Sequence, residues 1–221
     1  MKALLFDLDN TLYSASRALF NLIDVRINRY MHEVVGIAHE RVDQLRRHYW
    51  QQYGVTLRGL MQEHGTDPEH YLHYVHEIDV SSRLDADPTL RAMLQQLPQR
   101  KVVFTNGSAE HALRVLECLQ IEDCFEQVFD IRVSGYLPKP CEPPYCAVLR
   151  CLALPAGDCV MIEDSLANLQ TAARLGMRTI HVAEQDDVLS DAAVDARVCR
   201  VHQVAHVLQG WQSRAGLQGV A

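Results

Sequence analysis

The chain has 221 residues, of which 48% are hydrophobic and 22% charged, and a formal net charge of -7 at pH 7. That length can bury a substantial core and hold one domain with a smaller insert, and the negative balance argues against nucleic acid polymers and anionic membrane surfaces as main partners. Its seven cysteines, an odd number with no CxxC pair, suggest neither a disulfide framework nor a zinc ribbon.

The chain opens on KALLFD (2–7), an apolar run ending in Asp7, with Asp9 two residues on and Thr11 placed to cap a turn. A buried strand there would deliver both carboxylates to one edge of a sheet, on one side if the two-residue period persists. The same acids interrupt the apolar stretch that a signal peptide needs, and no segment is long and apolar enough to span a bilayer. A cytoplasmic protein without membrane contact is expected.

From about residue 14 to 84 the periodicity is helical, with no buried strand. Phe20, Ile23, Ile27, Tyr30 or Met31, and Val34 share one face. A second helix is predicted over His39 to Tyr53, and a third passes through Tyr71, Val75 and Ile78. Between them Gly54 and Gly59 flank VTLR, which reads as a loop that the glycines let approach the rest of the molecule closely. The chain leaves this region at DADPTLRAMLQQLP, where Asp87 can cap a helix with Pro88 at its first position.

KVVFTN (101–106), QVFDI (127–131), CVMIED (159–164) and RTIHV (178–182) then read as further strands, with helices starting after Ser108 and Ser165 and Gly176 as a terminator. The final GWQSRAGLQGVA is expected to fray. This order predicts an α/β fold, a doubly wound parallel sheet with an inserted helical cap: residues 1–13 and 85–221 as core, 14–84 as cap. Ligands of such a sheet sit beyond the carboxyl ends of its strands, where the polar strand ends would meet.

Two carboxylates at one strand end repel unless a cation sits between them, and Mg²⁺ bound by few carboxylates, waters and a substrate phosphate fits that need. Phosphoryl transfer through an aspartyl-phosphate requires a carboxylate nucleophile, a second acid/base, a metal and donors for the phosphoryl oxygens. Asp7 and Asp9 can supply the first two. Thr105 and Asn106 offer donors, Lys139 in GYLPKP a cation, and Glu163 with Asp164 an acidic metal cradle.

In the order DLDNT, TN, K-P and ED, these motifs resemble those of the haloacid dehalogenase superfamily. The resemblance covers nearly the whole chain and includes a helical cap between the first two motifs. It implies Asp7 as nucleophile, Asp9 as general acid/base, Thr105 and Lys139 on the phosphoryl group, and Mg²⁺ held by Asp7, Asp164 and the backbone carbonyl of Asp9. Where many relatives carry two aspartates, this chain has Glu163 before Asp164, so Glu163 would bind the metal directly or through water. Asn168 could orient a metal-bound water or simply pack in its helix.

Lys2, Lys101 and Lys139 are the only lysines, so the cap has none. A phosphonatase of the superfamily needs a cap lysine for a Schiff base, phosphoglucomutase-like relatives use one for a second phosphate, and a dehalogenase proper does not need Asp9. A phosphatase remains. Within that class, YGVTLRGLMQEHGTDPEHYLHYVH and the stretch PTLRAMLQQLPQRKVVFTNGSAEHALRVLECLQIEDCFEQVFD are similar to the pyrimidine 5'-nucleotidase group, which implies hydrolysis of UMP or CMP. Thr56, Arg58 and His64 are the cap candidates for contact with base or ribose. Pyridoxal phosphate or a sugar phosphate is the alternative substrate, and a catalytically silent phosphate-ester-binding regulator the alternative function. The partner is expected to be a small phosphate ester, met by a monomer or homodimer.

Overall fold

A computed structural model describes residues 1–183 and 191–218. Its sheet has six parallel strands: β1 (Ala3–Phe6), β2 (Arg100–Phe104), β3 (Gln127–Phe129), β4 (Cys159–Glu163), β5 (Arg178–Val182) and β6 (Ala196–Val198), in the order β3-β2-β1-β4-β5-β6. The continuous apolar runs follow from burial on both faces. Leu4 and Phe6 pack with Leu90, Leu94, Val115, Leu116 and Leu208 on one side, and Ala3 and Leu5 with Tyr145, Val148, Leu152 and Leu169 on the other. The first group of helices is α5 (Pro88–Gln95), α6 (Ala109–Leu119) and α9 (Val204–Gln218); the second is α7 (Glu142–Leu152) and α8 (Leu166–Arg174).

The chain order reverses at β1, which lies between β2 and β4. Crossovers therefore leave to opposite sides there, opening a crevice at the carboxyl ends of β1, β2 and β4. β6 escaped the sequence reading because its three residues carry no alternating pattern. α9 runs through Gln218, so the chain from Gly210 to Gln218 is helical where fraying was expected; the last three residues lie outside the described ones.

Between β1 and β2 lie α1 (Leu19–Arg29), extended by a π-helical turn over Tyr30–Val34, then α2 (His39–Tyr53), α3 (Thr56–His64) and α4 (Pro68–His76). They enclose a core of their own from Ile23, Ile27, Met31, Val42, Tyr49, Leu60, Tyr71 and Val75. Phe20 and Val34 do not join it and stay exposed.

VTLR is not a loop. Gly54 ends α2 in the left-handed region at φ 83°, Val55 is the only residue between, and Thr56 already starts α3. Gly54 does bring this insert onto the sheet domain, since a Cβ there would lie 3.2 Å from Pro138 Cγ. Gly59 serves α2 and α3 instead: its Cβ would stand 2.3 Å from Tyr49 Cγ, so only a bare backbone lets these helices approach so closely.

Further ties join insert and sheet domain. Arg132 forks onto both oxygens of Glu69, at 2.8 and 2.7 Å, and Arg114 donates to the His76 carbonyl at 2.7 Å. No helix among the described residues is long and apolar enough to cross a membrane.

Candidate active site

β1 stops at Phe6, so Asp7 and Asp9 leave the strand period and their side chains take different partners. Asp7 continues the sheet through its own N–H, which donates to the Ile162 carbonyl, and its carboxylate accepts from Lys139 Nζ at 2.8 Å. Lys139 is buried and also donates to Glu163 Oε2 at 2.8 Å and to the Phe104 carbonyl at 2.7 Å. One ammonium thus joins the carboxyl ends of β1, β2 and β4.

Burial and the neighbouring Glu163 charge push Asp7 up to about 7 against the pull of Lys139. Burial raises Glu163 to about 7 as well, opposed by Lys139 and reinforced by Asp164. For Lys139, burial works against the ammonium, but the charges of Asp7 and Glu163 outweigh it and hold it above the ordinary lysine value. Asp164 is also raised, chiefly by burial.

Asp7, Glu163 and Asp164 offer carboxylate oxygens that all lie within 4.8 Å of one another. With all three carboxylates ionised, one ammonium leaves two negative charges in excess, which suits an oxygen-preferring divalent cation. Glu163 is within reach of such an ion, although Oε2 already accepts from Lys139 and Oε1 from the Ser165 N–H at 3.2 Å. Ser165 itself makes no side-chain cap to α8.

The carboxylate of Asp9 stands outside this group. Its Oδ1 accepts from the Tyr13 hydroxyl at 2.5 Å and from His111 Nε2 at 3.0 Å. Burial acts to raise Asp9, but His111 and Tyr13 overcome it and leave its carboxyl below the ordinary value. Neither residue was singled out from the sequence. The available signal was position: His111 lies in the first turn of α6, directly after the TN strand end, and Tyr13 lies four residues past Asp9.

Thr105 is buried at the end of β2, and its Oγ1 accepts from the Gly107 N–H at 2.9 Å, which leaves its own proton free to donate. Asn106 lines the same strand-end cavity, and its amide is partly committed to the chain that carries Lys139, with the second Nδ2 proton left to donate. Its Nδ2 donates to the Lys139 carbonyl at 3.0 Å and its Oδ1 accepts from the Lys139 N–H at 2.8 Å, so its side chain clamps the lysine's own peptide.

A cavity of about 1020 Å³ between sheet domain and insert is lined by Asp7, Asp9, Thr105, Lys139, Glu163, Asp164 and Asn168 on one side, and by Phe20, Arg46, Trp50, Tyr53, Thr56, Arg58 and His76 on the other. Thr56 and Arg58 thus face the acidic centre. His64 does not: it ends α3 away from the cavity, with its Nε2 against the Tyr49 hydroxyl at 3.0 Å.

A parallel sheet with a lysine and three carboxylates at its central strand ends, roofed by helices inserted after the first strand, defines the class as a hydrolase of the haloacid dehalogenase type. The haloacid dehalogenase-like hydrolase model matches residues 1–176, and the chain belongs to that family. Phosphate metabolism protein 8 of Saccharomyces cerevisiae is 28% identical over 202 residues, covering 83% of this chain; the chain spans 62% of that relative's length. Among solved structures, a HAD phosphatase from Thermococcus onnurineus superposes with a TM-score of 0.65 at 17% identity, covering 94% of this chain and 98% of its own. The 2-haloacid dehalogenase of Pseudomonas syringae pv. Tomato DC3000 gives 0.63 at 20% identity, covering 96% and 99%. These two likenesses concern the fold.

Proposed function

We propose that this protein is a cytoplasmic phosphomonoester hydrolase that works through an aspartyl-phosphate on Asp7, uses Mg²⁺, and takes pyrimidine nucleoside 5'-monophosphates such as UMP and CMP. The observation that carries the reading is the division of labour at the end of β1. Asp7 shares Lys139 with Glu163, whereas Asp9 is held apart by two donors of its own. A halide departs as a stable anion and needs no proton. A second carboxylate oriented beside the nucleophile is useful where an oxygen must leave and water must then be activated. The yeast relative is named as a phosphate metabolism protein, which is consistent with this reading.

In the proposed cycle the Thr105 hydroxyl donates to a phosphoryl oxygen, and Lys139 turns one of the three N–H bonds it gives Asp7, Glu163 and Phe104 onto another, while Asp7 attacks phosphorus. The bond to the ester oxygen breaks, and that oxygen takes a proton from Asp9. Asp9 then removes a proton from water, which attacks phosphorus and frees Asp7. His111 and Tyr13 favour the ionised form of Asp9; an arriving phosphate dianion raises its pKa and supplies the acid form the first step needs. Mg²⁺ held by Asp7, Asp164 and the Asp9 carbonyl, with Glu163 in reach, would offset the excess negative charge and polarise the phosphoryl group.

Residues 14–84 act in this reading as a cap that receives the leaving group. Trp50, Phe20 and Tyr53 supply aromatic surface suited to a planar base, and Thr56 and Arg58 supply polar contacts. The test is phosphate release from UMP, CMP, AMP, GMP, pyridoxal phosphate and a sugar phosphate, with Mg²⁺ or with chelator, and with Asp7→Asn as control. Preference for UMP and CMP supports the whole reading. Preference for another ester keeps the hydrolase and removes the pyrimidine assignment; steady turnover by Asp7→Asn, or binding without turnover by the unaltered protein, overturns it.

A further inference from the structure

His111 lies in the first turn of α6 and is fully buried. A carboxylate only accepts, so the 3.0 Å contact with Asp9 Oδ1 requires the proton on Nε2. That leaves Nδ1 buried without a hydrogen-bond partner. A buried ring nitrogen without a protein partner calls for a reason beyond packing, and the bond to Asp9 offers one.

The ring's face is covered from the insert. His76, the last residue of α4, stacks on His111 with centroids 4.7 Å apart and planes 17° from parallel. Its Nδ1–H is bound to the Leu72 carbonyl at 2.9 Å, and Arg114, one turn beyond His111 on α6, donates to the His76 carbonyl at 2.7 Å. The imidazole is therefore fixed in orientation from both sides of the cavity.

Both side-chain donors that reach Asp9 fall on the same oxygen. Tyr13 and His111 each bond Oδ1, and among the described residues no donor reaches Oδ2. We propose that His111 is a positioning residue which, with Tyr13, anchors Oδ1 of Asp9 and so assigns proton transfer to Oδ2, the oxygen left to the cavity. A carboxylate pinned at one oxygen can rotate only about that anchor, which holds Oδ2 within a narrow arc of the reacting oxygens. This rests on the reading of Asp9 as the acid/base above.

The test compares His111→Phe, which keeps a ring beneath His76 but cannot donate, with His111→Gln, whose amide Nε2 reaches a similar place and donates. The probes are UMP and p-nitrophenyl phosphate, with thermal melting to confirm folding. With UMP, His111→Phe should lower kcat by about tenfold to a hundredfold with KM changed less than about threefold, and His111→Gln should recover most of the loss. With p-nitrophenyl phosphate, whose leaving group departs without a proton, only the water step is slowed. His111→Phe should then release a burst of nitrophenolate, about one per enzyme, and acid quench should trap phosphate on Asp7; a merely structural role produces no such burst.

Equal kcat in His111→Phe and the unaltered protein, equal losses in both variants, or a loss confined to KM overturns the anchoring. If His111→Phe does not fold, Tyr13→Phe removes the second donor from the same oxygen and carries the same test: a kcat loss with a burst supports the proposal, and unchanged kcat overturns it. Asp9→Asn separates the two levels. Full activity in that variant refutes the acid/base reading itself, whereas an inactive Asp9→Asn beside an unaffected His111→Phe refutes the anchoring alone.

Discussion

Replacing Lys139 by methionine keeps most of the side chain's volume and removes its charge. In the folded protein Nζ contacts two carboxylates and a carbonyl at 2.7 to 2.8 Å, and the residue is 2% exposed. Methionine would leave Asp7 and Glu163 buried without their shared cation, and breaking a buried ion pair from one side costs about 3 to 5 kcal/mol. For a chain of this size each kcal/mol moves Tm by about 2 to 4 °C, so Lys139→Met should melt about 6 to 20 °C lower in chelator near neutral pH. The deficit should shrink in mild acid, where the two carboxyl groups take up protons and no longer need a counter-charge. Circular dichroism melts at about pH 7.5 and pH 5.5 measure both effects. A Tm within about 2 °C of the unaltered protein, or a deficit that grows in acid, would refute the account of Lys139 as the buried counter-charge.

Gly59→Ala gains about 1 kcal/mol of helix propensity but places a methyl 2.3 Å from the ring of fully buried Tyr49, whose hydroxyl is fixed on Glu63 and His64. Overpacking of this kind costs about 1 to 3 kcal/mol or more, so Tm should fall; a rise would show that α2 and α3 separate freely. In cation-free protein the raised values of Asp7 and Glu163 mean that the folded form binds more protons than the unfolded one between the ordinary carboxyl range and about pH 7. Their contribution to stability is therefore greatest in acid and declines as pH rises through that window. Glu163→Gln should flatten this part of the Tm profile in chelator, and Mg²⁺ should raise the Tm of the unaltered protein most at the upper end. An unchanged slope in Glu163→Gln, or no response to Mg²⁺, would contradict the charge count.

The sequence by itself determined five of the six strands and the stations at their ends. Strands buried on both faces must be continuous apolar runs, and the residues that end those runs must gather where the sheet opens, so the pattern alone places Asp7, Thr105, Glu163 and Asp164. Helix α2 was legible too, because periodicity and Gly54 fix both its length and its end. Tertiary structure alone decided what those residues touch. Asn106 clamps the Lys139 peptide, His64 is held by Tyr49, and Thr56 begins a helix rather than a loop. His111 meets Asp9 across 102 positions of chain. Local pattern records which face of an element is buried, and therefore the fold. Hydrogen bonds between distant elements depend on how those faces dock to within a fraction of an ångström, and no spacing along a single chain encodes that distance.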